Sequence, residues 1–75
     1  MLEMRPGCER CDQDLPAQNS GAFICSFECT FCASCATQLK QVCPNCGGML
    51  VSRPTRAEAL LEKFPAATTR TYKPV

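Results

Sequence analysis

The stretch Cys25-Ser-Phe-Glu-Cys29-Thr-Phe-Cys32-Ala-Ser-Cys35 places four cysteines within eleven residues, and how they are shared decides the fold. One C-x2-C pair precedes it (Cys8, Cys11) and one follows (Cys43, Cys46). The eight cysteines thus form four close pairs: Cys8/Cys11, Cys25/Cys29, Cys32/Cys35 and Cys43/Cys46. A gap of two or three residues lets one turn of backbone aim two sulfurs at one ion. A longer loop then returns a second pair to complete a tetrahedron. Four pairs with none left over specify two four-cysteine sites, expected to hold two Zn²⁺.

The spacing alone leaves the sharing open. Sequential pairing puts Cys8, Cys11, Cys25 and Cys29 on one ion. A cross-brace joins the first pair to the third and the second to the fourth. A nested arrangement crowds Cys25, Cys29, Cys32 and Cys35 onto one ion. Iron, singly or as a cluster, is a competing occupant because thiolates are soft ligands. The Cys25-x3-Cys29-x2-Cys32 spacing of radical-SAM enzymes also occurs, but that chemistry needs a large barrel that 75 residues do not build.

Composition agrees with a metal staple. A chain of 75 residues with no Trp, four Phe and one Tyr has little apolar area to bury. The N-terminal Met1–Gly7 segment has no apolar signal-like run, so the expected compartment is the reducing cytoplasm. There, paired cysteines serve metals rather than disulfides. No stretch approaches the ~18 apolar residues of a membrane span. The formal charge is +1, but eight thiolates around two Zn²⁺ bring it to about −3. Before residue 47, Arg5, Arg10 and Lys40 face Glu3, Glu9, Asp12, Asp14 and Glu28. After it, Arg53, Arg56, Lys63, Arg70 and Lys73 face only Glu58 and Glu62. An acidic metal module is followed by a basic segment.

Along the chain, Leu2 and Met4 read as a short edge strand, free to pair with Met49–Val51. Residues 12–21 are turn-rich. Alternation over Ala22–Glu28 predicts a strand with Phe23, Cys25 and Phe27 turned to the core, and Cys29–Cys32 returns from it as a hairpin. Ala36–Val42 has helical composition, with Leu39 and Val42 facing inward. Thr55-Arg-Ala-Glu58 fits a capping box opening a helix to Phe64, stopped by Pro65. The organisation is then a two-zinc module over 1–52, a C-terminal helix over 53–65 and a flexible tail over 66–75.

The order C-x2-C-x13-C-x3-C-x2-C-x2-C-x7-C-x2-C resembles RING-type cross-brace zinc domains over residues 8–46, with Cys29 where those domains usually have His. Phe31 before the fifth ligand and the Cys43-Pro-x-Cys46 ending match as well. The resemblance implies a small metal-stabilised α+β fold, a RING-like or treble-clef-type cross-brace with a short hairpin, a short helix and a C-terminal helix. It implies Cys8, Cys11, Cys32 and Cys35 on one ion, and Cys25, Cys29, Cys43 and Cys46 on the other. Thr30 and Phe31 then bridge the two. The ubiquitin-ligase surface does not carry over: Glu9 and Arg10 stand where an apolar residue is usual, Gly47 replaces a basic residue, and there is no Trp. Over its whole length the chain is similar to a family of short bacterial proteins catalogued as a domain of unknown function, number 1272. The similarity lies in Ile24–Cys32, Cys43-Pro-Asn-Cys-Gly-Gly48 and the Leu60-Leu61…Pro65…Lys73-Pro74 tail.

Sites filled by four protein ligands leave no open position for water, and the chain has no His to act as a general base. Glu3, Glu9, Asp12, Asp14 and Glu28 read as a solvated face. The expectation is a structural zinc module that is not an enzyme and that binds another protein, with Leu60, Leu61 and Phe64 as contact residues if the C-terminal helix does not pack on the module. The alternatives are nucleic-acid binding through the basic segment, and thiol chemistry as a redox switch, zinc donor or metal sensor.

Overall fold

The computed structural model describes residues 2–70 and Tyr72. Thr71 and residues 73–75 of the expected tail, Lys73 and Pro74 among them, lie outside the described residues.

Among the described residues, three short strands and two short helices make up the regular structure. They are β1 (Ala22–Ile24), β2 (Thr30–Cys32), α1 (Ala33–Gln38), β3 (Val51–Ser52) and α2 (Glu58–Leu61). The sheet is antiparallel with β1 at its centre, in the order β2-β1-β3. Phe23 faces Phe31 across the hairpin and Ser52 across the other edge. The α+β class expected from sequence is present.

The expected strand over 22–28 stops at Ile24 because the next residues turn to aim sulfurs. Cys25 N donates to Cys29 O, Glu28 N to Cys25 O, and Phe27 N to Cys25 Sγ. The facing also differs from the alternation. Ala22 and Ile24 are buried, Phe23 is half-buried, and Phe27 is 70% exposed at the tip of the turn. Leu2–Met4 is not a strand either. Its segment is held by arginines instead, Arg56 Nη2 donating to Leu2 O and Arg53 Nη1 to Arg5 O. β3, not Leu2–Met4, completes the sheet, and Met49 forms a single bridge with Val42.

Helix α1 begins earlier than composition suggests. Cys32 is its N-cap, and the Cys32 Sγ accepts from Cys35 N at 3.4 Å, the role a Ser or Asp oxygen usually plays. It ends at Leu39, after which Lys40 and Gln41 both take left-handed backbone angles. That reversal leaves Leu39 packed on the core but turns Val42 outward, against expectation. The C-terminal helix is four residues long, with Ala57 as N-cap and no side-chain cap, so the Thr55 capping box does not form. The cause lies upstream. Arg53 N donates to Ala22 O and Arg56 N to Ala17 O, which commits residues 53–56 to the sheet edge and a loop rather than to a helical turn. Leu60 and Phe64 are exposed and Leu61 half-buried. Leu60 closes one side of a groove of about 310 Å³ whose other wall includes Leu2 and Met4.

The core cluster contains Cys8, Leu15, Ala22, Cys25, Phe31, Cys32, Cys35, Ala36, Cys43 and Leu50, with Phe31 the largest of its fully buried side chains. Truncating it leaves a void that neighbouring cysteines, tied to their own geometry, do not fill. Phe31→Ala is expected to cost about 3–5 kcal/mol in urea unfolding of the metal-loaded protein. A loss below about 1 kcal/mol would contradict this packing.

Candidate metal centre

The sulfurs gather in an interleaved pattern. The Sγ atoms of Cys8, Cys11, Cys32 and Cys35 all lie within 4.8 Å of one another, and so do those of Cys25, Cys43 and Cys46. Cys29 stands beside Cys25 and Cys43 without entering that closest group. First pair joins third and second joins fourth, so neither sequential nor nested sharing is seen. All eight cysteines are free.

The donor set fits a tetrahedral ion. Bonds of about 2.3 Å to four sulfurs give tetrahedron edges of about 3.8 Å. Cys11 Sγ and Cys32 Sγ are 3.7 Å apart, a tetrahedral edge and far from the about 2.05 Å of a disulfide. One sulfur of every pair also receives a backbone N–H: Arg10 N to Cys8, Phe27 N to Cys25, Cys35 N to Cys32 and Gly48 N to Cys46, at 3.3–3.4 Å. Such bonds favour the thiolate, the form that ligates.

The backbone pays for this aim with residues in the left-handed region. Asp12 (φ 64°) follows the first pair, Glu28 (φ 64°) lies inside the second and Gly47 (φ 77°) follows the last. Only at 47 does the sequence use Gly, which enters this region without a steric penalty.

Within each set the thiols differ. Burial pushes Cys8 up, but hydrogen bonds from the backbone of Cys32, Cys11 and Arg10 outweigh it and leave the thiol at about 7. Cys25 is likewise pushed up by burial yet brought to about 7, chiefly by the backbone of Phe27 and Cys29. Burial, followed by the neighbouring thiols Cys25 and Cys43 and the Glu9 charge, raises Cys29 to about 11. Burial and the other three thiols of its set raise Cys35 to about 12, although Arg10 pulls the other way. Each set thus contains a thiol lowered toward neutrality and another raised well above its ordinary value.

Glu9 is the functional side chain that the solvated-face expectation misplaces. It is 3% exposed. Its Oε2 accepts from Thr30 N at 2.8 Å and Arg5 Nη1 at 3.0 Å, and its Oε1 from Asn45 Nδ2 at 3.2 Å. Glu9 N donates to Thr30 O in return. One carboxylate therefore ties the first pair's turn, the bridge residue Thr30 and the last pair's turn together. Its signal in the sequence was Arg5 four residues earlier. Arg53, expected on a basic tail, is buried too, donating to Arg5 O, Leu15 O and Pro16 O. Arg10 reaches from inside the first pair to Cys35 Sγ and Gln38 Oε1.

These features define a small cysteine-rich protein whose thiols gather into two sets able to hold metal ions. Residues 1–56 match the family described as "Protein of unknown function (DUF1272)", and the chain belongs to that family. An uncharacterized protein of Rhizobium meliloti (strain 1021) is 59% identical over 75 residues, covering 99% of this chain and 89% of that one. No solved structure matches.

Because Cys29 and Cys35 are protonated in the metal-free sets at neutral pH, loading releases protons and apparent affinity rises with pH. Adding Zn²⁺ to metal-free protein in weak buffer near pH 7 is expected to acidify the solution, and an unchanged pH would contradict the assignment. Excess chelator that strips both sets is expected to unfold the chain, since metal binding is worth roughly 10–16 kcal/mol in zinc-finger peptides. Native amide dispersion persisting after full stripping would count against it.

Proposed function

We propose that the protein is a RING-like, two-zinc cross-brace module that works by binding another protein and has no catalytic activity. The interleaved all-sulfur sets carry this reading. With Cys29 drawn in, each ion has four protein ligands and no position left for water or substrate. Large apolar side chains are left outside. Phe27 is 70% exposed and Met49 71% exposed, on the two loops whose sulfurs converge in the second set.

The nucleic-acid alternative loses most of its cations. Arg53 and Arg56 donate to backbone carbonyls, and Arg70 pairs with Asp12 and Asp14 at 2.8 and 2.9 Å. Arg5 is held by Glu3 and Glu9. Among the described residues, Lys40 and Lys63 are exposed lysines in the separate turns that follow α1 and α2, which is a poor phosphate-tracking face. No described helix is long and apolar enough to cross a membrane. The reducing cytoplasm suits eight free thiols.

Cross-linking in cells followed by mass spectrometry is expected to recover a defined protein, and Phe27→Ser with Met49→Ser to reduce its recovery by about tenfold with zinc content unchanged. Equal recovery with the double variant would refute this surface. Steeply salt-dependent binding to a mixed-sequence oligonucleotide would favour the nucleic-acid reading instead.

A further inference from the structure

The two sulfur sets are built to hold an ion with different tenacity. In the first, Cys8, Cys32 and Cys35 are buried and only Cys11 is exposed. A loaded four-thiolate site carries a net charge of about −2, and here a guanidinium answers it. Arg10 Nη1 lies 3.7 Å from Cys35 Sγ and is itself held by Gln38 Oε1. In the second set, Cys46 is exposed and Cys29 half-buried, so two ligands are reachable instead of one. Cys29 also stands outside the group of sulfurs that lie within 4.8 Å of one another. The side chains beside this set are the neutral Asn45 and, hydrogen-bonded to it, the carboxylate of Glu9. That carboxylate is itself paired with Arg5 at 3.0 Å, and among the described residues no guanidinium is hydrogen-bonded to a sulfur of this set as Arg10 is to Cys35.

Much of the frame around the second set is hydrogen-bonded without its sulfurs, beside the Phe27 N and Gly48 N bonds that do end on them. Cys43 N donates to Gly48 O, Gly47 N to Cys43 O and Leu50 N to Gln41 O, each at 2.8 Å. Val42 bridges Met49, β1 pairs with both β2 and β3, and Asn45 is tied to Glu9. These bonds do not run through an ion, so the turn, the sheet and the first set have ties of their own.

We propose that the two centres have separate tasks. Cys8, Cys11, Cys32 and Cys35 hold a permanent structural ion. Cys25, Cys29, Cys43 and Cys46 form an exchangeable centre that releases and retakes Zn²⁺ while the fold stands. This rests on the metal-binding reading above. Release breaks Zn–S bonds in favour of a competing chelator's donor atoms. The freed thiolates take protons from water, and no electrons move.

The test follows the protein purified with its metal. Native mass spectrometry first counts the ions, with two expected. A stoichiometric chelator is then added, with brief pulses of thiol alkylation read by peptide mapping. A one-zinc species is expected, labelled at Cys25, Cys29, Cys43 and Cys46. The first four ligands should be protected at least about tenfold, with a near-native amide spectrum and full recovery on adding one equivalent of Zn²⁺. Arg10→Gln should speed ion loss from the first centre and leave the second unchanged. Loss of both ions together, or earlier labelling of Cys8, Cys11, Cys32 and Cys35, overturns the proposal while leaving metal binding intact. An unaltered first-centre rate in Arg10→Gln overturns the electrostatic basis. A chain that holds no metal overturns both readings.

Discussion

Convergence of thiols from three turns and from the junction of β2 with α1 is the constraint on which everything else depends. Five of the ten residues in the core cluster are cysteines, so half of what an ordinary protein would fill with aliphatic side chains is here filled with sulfur. Sulfur packs as a small apolar group but contributes fully only when deprotonated and shared around an ion. The apolar remainder, chiefly Phe31, Leu50, Leu15 and two alanines on short elements, is thin for a chain of this size.

Because the pairs interleave, the middle of the chain serves both sets, and residues 29–32 are where they meet. Thr30 is buried with its N–H and C=O both paired to Glu9, while Phe31 fills the space beneath. A buried carboxylate is normally a cost, but Glu9 is spared it by three donors from Arg5, Thr30 and Asn45. Arg53 is the complementary case: a buried cation with no carboxylate, satisfied by three carbonyls of the N-terminal half. Burial and the nearby Arg56 hold its guanidinium below the usual arginine range.

The parts legible in the sequence were those fixed by local spacing. Four close cysteine pairs announced two clusters, and the order of the pairs, through its likeness to cross-brace domains, pointed to the interleaving seen in the sulfurs. What was not legible came from long-range competition for backbone groups. The Thr55–Glu58 capping box is a sound local signal, yet Arg53 and Arg56 spend their N–H groups on Ala22 and Ala17, and the helix starts late. Phe27 alternates correctly with Phe23 and Cys25, yet the turn that aims Cys25 breaks the period before reaching it. Glu9 looked like any surface acid because its partners, Thr30 and Asn45, are 21 and 36 residues away.

Beside local ties such as Leu15 N to Pro6 O and Glu3 N to Glu28 Oε1, the N-terminal segment is held by the far end of the chain. Arg53 grips Arg5 across 48 residues, Arg56 grips Leu2 across 54, and Arg70 grips Asp12 across 58. During synthesis from the N-terminus these contacts do not yet exist when Cys46, the last ligand, is made. The sulfurs are complete as a set while the opening residues still lack their anchors. A chain ending just after Cys46 would carry all eight cysteines and still lack the three arginines that clasp Leu2, Arg5 and Asp12.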